Sequence, residues 1–246
     1  MITILPTFEL MQEIYDQPLG PGRFGAYLKI LQGSSKTDLE VPISGFNPMA
    51  QPHVLAKMNE LRALGIDDIC ASLVKKWNKE MDIELAIGIN VADDLMGGWT
   101  QKFATDFDSK FKINALIERK FCAPYFYTSE KYTKDQIQST IETYFFRSLF
   151  RLRNSRIKVL EDYYQQELFV CESTLETDHK GSMSVEEIKH LKDFLTNNQD
   201  SDDYPLIFNF FYGDEASNSL GYSTYGIAEK NGFHYARWKA QGQKAI

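Results

Sequence analysis

Ile83-Glu84-Leu85-Ala86-Ile87-Gly88-Ile89-Asn90-Val91-Ala92-Asp93-Asp94-Leu95-Met96-Gly97-Gly98-Trp99-Thr100 is the stretch on which the fold turns. Ile83, Leu85, Ile87, Ile89 and Val91 alternate with mostly small or polar residues, which is the period of a β-strand. Ala86 and Gly88 on the other face leave room for something to pack closely there. The strand feeds a turn of two acids and two glycines, and Thr100 is placed to begin a helix. Ligands in open α/β folds commonly sit beyond the carboxyl ends of strands. The turn is therefore the first place to look for a site.

Working outward, Thr7 to Asp16 carries Phe8, Met11, Ile14 and Tyr15 at helical spacing, and Pro18 to Gly22 breaks it. Phe24, Tyr27, Leu28 and Leu31 mark a second helix. Pro52 opens a third, and Ile66 to Trp77 follows Gly65 as a fourth. Leu39 to Ile43 reads as a short strand confined to an edge by Pro42. Lys120 to Thr128 is extended, with Pro124 interrupting its pairing. Capping boxes at Thr133–Gln136 and Ser184–Glu187 start two further helices. The first of these is apolar nearly all round, which marks it as central. Ile157 to Cys171 is helical as well. Tyr204 to Tyr212 fits either a buried helix opened by Pro205 or a strand, and Gly232 to Trp238 reads as a final strand. The expected fold is α+β, or an irregular α/β arrangement. It is helix-rich, with six or seven helices and a small mixed sheet of three to five strands. No repeat or low-complexity linker divides residues 1–246, which favours one globular domain.

Composition bounds the function. The 246 residues are 43% hydrophobic and 13% aromatic, enough for a sizeable core. Acids outnumber bases 34 to 27, for a net charge of −7, which disfavours nucleic acid and anionic membranes as partners. No apolar run approaches the length of a membrane span. The N-terminus lacks the pattern of a signal peptide. Cys70, Cys122 and Cys171 are few and widely spaced, so a cytoplasmic chain without a disulfide framework is expected.

Asp93 and Asp94 are the candidate catalytic pair, suited to general acid–base work or to a divalent cation. Gly97, Gly98, Trp99 and Thr100 would bind ligand through backbone N–H groups, a stacking face and a helix start. The bland alternative is an Asx turn with glycines at positive φ and a tryptophan plugging the core. Gly20-Pro21-Gly22-Arg23-Phe24-Gly25 matches G-x-G-x-x-G only formally, because it follows a helix and not a strand. Arg23 there is either an anion ligand or a surface residue of an interhelical turn. Arg147 and Arg151 stand one turn apart on the central helix, where they either pair with carboxylates or face a ligand anion. Glu176 to Glu187 resembles an EF-hand loop in spacing, but Glu176 opens it and Lys180 occupies a ligand position. A turn and helix cap is the simpler reading. Cys122 reads as a buried inert thiol or, less simply, a nucleophile.

No zinc, nucleotide or haem motif occurs, nor any G-x-S-x-G elbow. Two function classes stay open. One is a cytoplasmic enzyme acting on a small polar or anionic molecule at the acidic, glycine-backed turn. The other is a non-catalytic binding or assembly protein with an aromatic-rich interface, in which a homo-oligomer is a candidate state.

Overall fold

The computed structural model describes residues 1–33, 36, 38–50, 52–95, 99–154, 156–174 and 183–243. It divides into two compact units, Met1–Ser148 and Leu149–Ile246.

The first unit is built on parallel strands. β1 (Ile2–Ile4), β2 (Leu85–Ile87) and β4 (Phe121–Cys122) form one sheet in the order β1-β2-β4. β3 (Asn90–Ala92) and β5 (Tyr125–Tyr127) form a second. The two ladders share one register, since Ala86 lies opposite Phe121 and Asn90 opposite Tyr125. Backbone bonds from Gly88 N to Cys122 O (2.9 Å) and from Asn90 N to Pro124 O (2.8 Å) carry the pairing across the gap. Pro124 has no N–H to return to the neighbouring strand, and this missing donor divides one long ladder into two. The expected strand from Ile83 is thus real but shorter at its start and interrupted at Gly88-Ile89. All pairings are parallel, in place of the mixed sheet expected.

Parallel neighbours need crossover connections, and helices supply them. α1 (Thr7–Asp16), α2 (Pro21–Gln32), α3 (Pro52–Ala63) and α4 (Ile66–Glu80) separate β1 from β2. α5 (Lys102–Phe111) and α6 (Asn114–Glu118) separate β3 from β4. α4 packs on β1, α3 on β3 and α5 on β5. The close packing expected on the Gly88 face is present. A methyl group there would lie 2.9 Å from Pro42 Cγ and 3.2 Å from Thr7 Cγ2. Leu39 to Ile43 is not a strand. The Asn90 side-chain amide donates to Pro42 O, and Glu40 N reaches Leu31 O, so this segment is held by isolated bonds instead of a ladder.

α7 (Lys134–Arg153) begins with the expected box, Thr133 N bonding to Gln136 Oε1 and Gln136 N to Thr133 Oγ1. Its Phe145 stacks on Trp77 of α4 at 3.7 Å between ring centres, inside the buried core of the first unit.

The second unit is helical: α8 (Leu160–Ser173), α9 (Val185–Asn198), α10 (Tyr204–Ser219) and α11 (Asn231–Gln243). Ser184 and Glu187 close the second capping box. Tyr204 to Tyr212 is helical, and Phe208, Phe210 and Phe211 on it are fully buried. Gly232 to Trp238 is helix, not strand. Its buried residues Gly232, Tyr235, Ala236 and Ala240 follow the helical period, and Gly232 allows close approach. A methyl group at that glycine would sit 2.5 Å from Phe210 O. The described residues therefore hold eleven helices and not six or seven. Short α6 and the α11 segment account for part of the difference. None of the described helices is long and apolar enough to cross a membrane.

Candidate functional site

Ala92, the last residue of β3, is buried, and the chain then turns so that Asp93 enters the interior while Asp94 stays at the edge. Asp93 is 1% exposed. Its Oδ1 lies 2.8 Å from His53 Nε2, in the first turn of α3. Its Oδ2 accepts 2.8 Å from Asn47 Nδ2, and Leu95 N closes on Oδ1 at 3.3 Å. Burial pushes the Asp93 carboxyl up, but the hydrogen bonds from His53 and Asn47, the histidine's charge and the Leu95 N–H together hold it below the usual range. Asp93 is therefore an anion at neutral pH. An anionic carboxylate has no proton to give, so His53 Nε2 must be the donor. In the neutral ring the lone pair then falls on Nδ1.

The His53 side chain is 23% exposed while that of Asp93 is 0%. A buried acid thus fixes a histidine that reaches solvent. That division of labour suits a general base, with the carboxylate choosing the tautomer and stabilising the imidazolium that forms.

The rest of the setting comes from α1, α2 and the loop before α3. Tyr15 OH donates to Asn47 O at 2.7 Å. Burial and then the Asp93 charge push the Tyr15 phenol up, against the opposing charge of Arg23, so it stays protonated and donating. Tyr15 packs on Phe46 at 4.8 Å between ring centres, and Tyr27 lies within 6.4 Å of Phe46 and 6.1 Å of Trp99. An aromatic wall therefore backs the loop that carries Asn47.

The other sequence candidates distribute unevenly. Asp94 accepts from Thr128 Oγ1 and Ser129 N, each at 2.9 Å, and from the Ser129 hydroxyl. Its work is to tie the turn after β3 to the end of β5. The two acids share only the Thr128 hydroxyl, 3.5 Å from Asp93 Oδ1. Among the described residues no group of three or more His, Cys, Asp or Glu is arranged to hold a metal ion. Thr100 does not begin the helix. Its hydroxyl donates to Asp93 O at 2.6 Å, and the Gln101 side chain caps α5 by accepting from Ala104 N. Trp99 is half-buried with its ring edge toward Tyr27. Gly97 and Gly98 lie outside the described residues.

Arg23 donates to Gln17 O at 2.8 Å and Tyr15 O at 3.3 Å, and lies over the Tyr15 ring. It locks the turn between α1 and α2, and reaches the dyad only through Tyr15. Arg147 is buried against Tyr144 in the first unit. Arg151, in the second unit, donates to Gln166 Oε1 at 2.6 Å and lies over Tyr163. Cys122 is fully buried, and burial pushes its thiol up to about 12, so it stays protonated and inert. Most of the EF-like segment, residues 176–182, lies outside the described residues.

A separate cavity of about 230 Å³ is lined by Ile4, Leu5, Pro6, Phe8 and Ile89, with Glu9 and Asp67 also in its wall. Arg62 sits 2.8 Å from Glu9 and 4.0 Å from Asp67, so both acids face a cation already in place.

Sequence reasoning placed Asp93 but missed His53, Asn47 and Tyr15. His53 and Asp93 are 40 residues apart, and no local pattern links them. No known family model, curated protein or solved structure matches this chain.

Proposed function

We propose that the first unit is an enzyme that moves a proton on a small polar or anionic substrate. His53 Nδ1 is its acid–base atom and Asp93 its positioning carboxylate. The observation that carries this is the 2.8 Å contact between a fully buried Asp93 carboxylate and a partly exposed imidazole. A histidine serving only to satisfy the core would be expected to bury both ring nitrogens. Asn47 supports the pair by occupying the second carboxylate oxygen, which leaves Oδ1 to His53 and the Leu95 N–H. Asp94 has a structural part, holding the end of β5 against the turn.

Long-range ¹H–¹⁵N correlation spectra of the histidine rings test this directly. His53 should appear in its neutral form as the Nε2–H tautomer, and Asp93→Asn should mix the two tautomers. A neutral ring protonated at Nδ1 in the unmodified protein would end the proposal. Any turnover found for the protein should fall by roughly 10²–10⁴-fold in His53→Gln.

A further inference from the structure

We infer that the substrate carries an apolar group, alkyl or aryl, immediately beside the atom that exchanges its proton. This substrate class rests on the reading of His53 as the base. Its own support is the backbone around the dyad. Asn47 Oδ1 accepts from Met49 N at 3.0 Å while its Nδ2 holds Asp93. Asp93 Oδ1 in turn accepts from Leu95 N at 3.3 Å while it holds His53. The two side chains that orient the imidazole therefore also clamp the backbone at Met49 and Leu95. Those residues are large, apolar and exposed, at 38% and 53%.

They come from separate loops, one before α3 and one after β3, so the same hydrogen bonds that position the base bring an apolar rim to it. Trp99 extends the second loop, and the Thr100 hydroxyl fixes that loop to Asp93 O. Small-molecule sites pair a few convergent polar groups with apolar walls in this way. A wholly polar substrate would gain nothing from Met49 and Leu95, whereas an alkyl or aryl group would remove both from water.

The test compares two alkylating probes, phenacyl bromide and bromoacetamide, on the full chain. In each case the Nδ1 lone pair attacks the bromomethyl carbon, the C–Br bond breaks and bromide leaves. Peptide mapping by mass spectrometry gives the rate at His53, with N-acetylhistidine and the exposed His190 as references. Relative to those references, His53 should favour the aryl probe by roughly tenfold or more, with a rate that saturates. Leu95→Ser and Met49→Ser, at exposed positions that spare the core, should each lower that preference. A wild-type preference equal to that of N-acetylhistidine, with Nδ1 still alkylated, overturns the apolar subsite and leaves the base intact. Failure of either probe to alkylate Nδ1 overturns the base reading, and the substrate class with it.

Discussion

Asp93 and Asp214 look alike in the sequence, each an acid in an acidic turn close to glycine, yet the two units spend them differently. Asp214 follows Gly213, which adopts φ 79° and ψ −178° inside α10 and kinks the helix there. Its carboxylate accepts from Asn209 Nδ2 (3.0 Å) and from the backbone N–H groups of Tyr225, Gly226 and Ile227 (3.0, 3.0 and 3.3 Å). Burial pushes Asp214 up, but those four donors outweigh it and hold the carboxyl below the usual range. Three of the four are backbone amides, which neither titrate nor turn over. Asp93 is held low by a comparable number of donors, but one of them is an imidazole open to solvent. The kind of donor, and not the degree of pKa depression, separates a staple from a site.

The largest effect that would break this comparison is expected at the staple. Gly213→Ala puts a methyl group 2.6 Å from the carbonyl of Ala228, in a backbone region that side chains avoid. It should cost more than about 3 kcal/mol, read as a lower urea midpoint, because strain and overpacking add. A near-neutral result would mean that the kink is not required.

Asp214→Ala comes next. It leaves the buried Asn209 amide and three backbone N–H groups without their acceptor, and should cost roughly 2–4 kcal/mol. Asp93→Asn should cost less, about 1–2 kcal/mol, because an amide oxygen can still accept one of the bonds. The two variants should differ in kind as well as size. Only Asp93→Asn should alter the His53 ring tautomer.

Acid sharpens the contrast further. Both carboxyls titrate lower in the folded chain than in the unfolded one, so the folded state binds fewer protons. The stability they contribute is complete above the unfolded value, near pH ~4, and is lost as pH falls through the folded values. Asp93→Asn and Asp214→Ala should each flatten the fall in stability below that pH, measured by urea denaturation across a pH series. A variant with the wild-type acid slope would show that its carboxyl is not held low.

The smallest expected effect belongs to Asp94→Asn. Its partners are Thr128 and Ser129 at the surface, so the cost should be about 0.5–1.5 kcal/mol with no change in the His53 tautomer. A change in that tautomer would make the acid pair act as one unit, as adjacency in the sequence alone suggests.

Legibility in the sequence followed the range of the interaction. Thr133–Gln136 and Ser184–Glu187 were readable because each box closes within one helical turn. The interruption at Pro124 was readable because a missing N–H is a property of the residue itself. Gly232 to Trp238 was misread because its alternating apolar residues fit a strand as well as a helix. Close approach to Phe210 at Gly232, a contact 22 residues away in the chain, is consistent only with the helix. Thr100 was assigned to a helix cap because Ser and Thr favour that role. Its hydroxyl instead serves Asp93 O, which no local rule reveals.

By itself the sequence determined where the main strand runs, that an acidic turn ends it, and where the capped helices begin. Periodicity and capping act over a few residues and are written into the order of side chains. Only the tertiary structure decided which acid of the pair matters and what it holds. His53, Asn47 and Asp93 come from three segments spread over 46 residues, and their chemistry depends on contacts of 2.8 Å. A hydrogen bond fades within a fraction of an ångström, so such a site exists only once packing has set those segments at that distance.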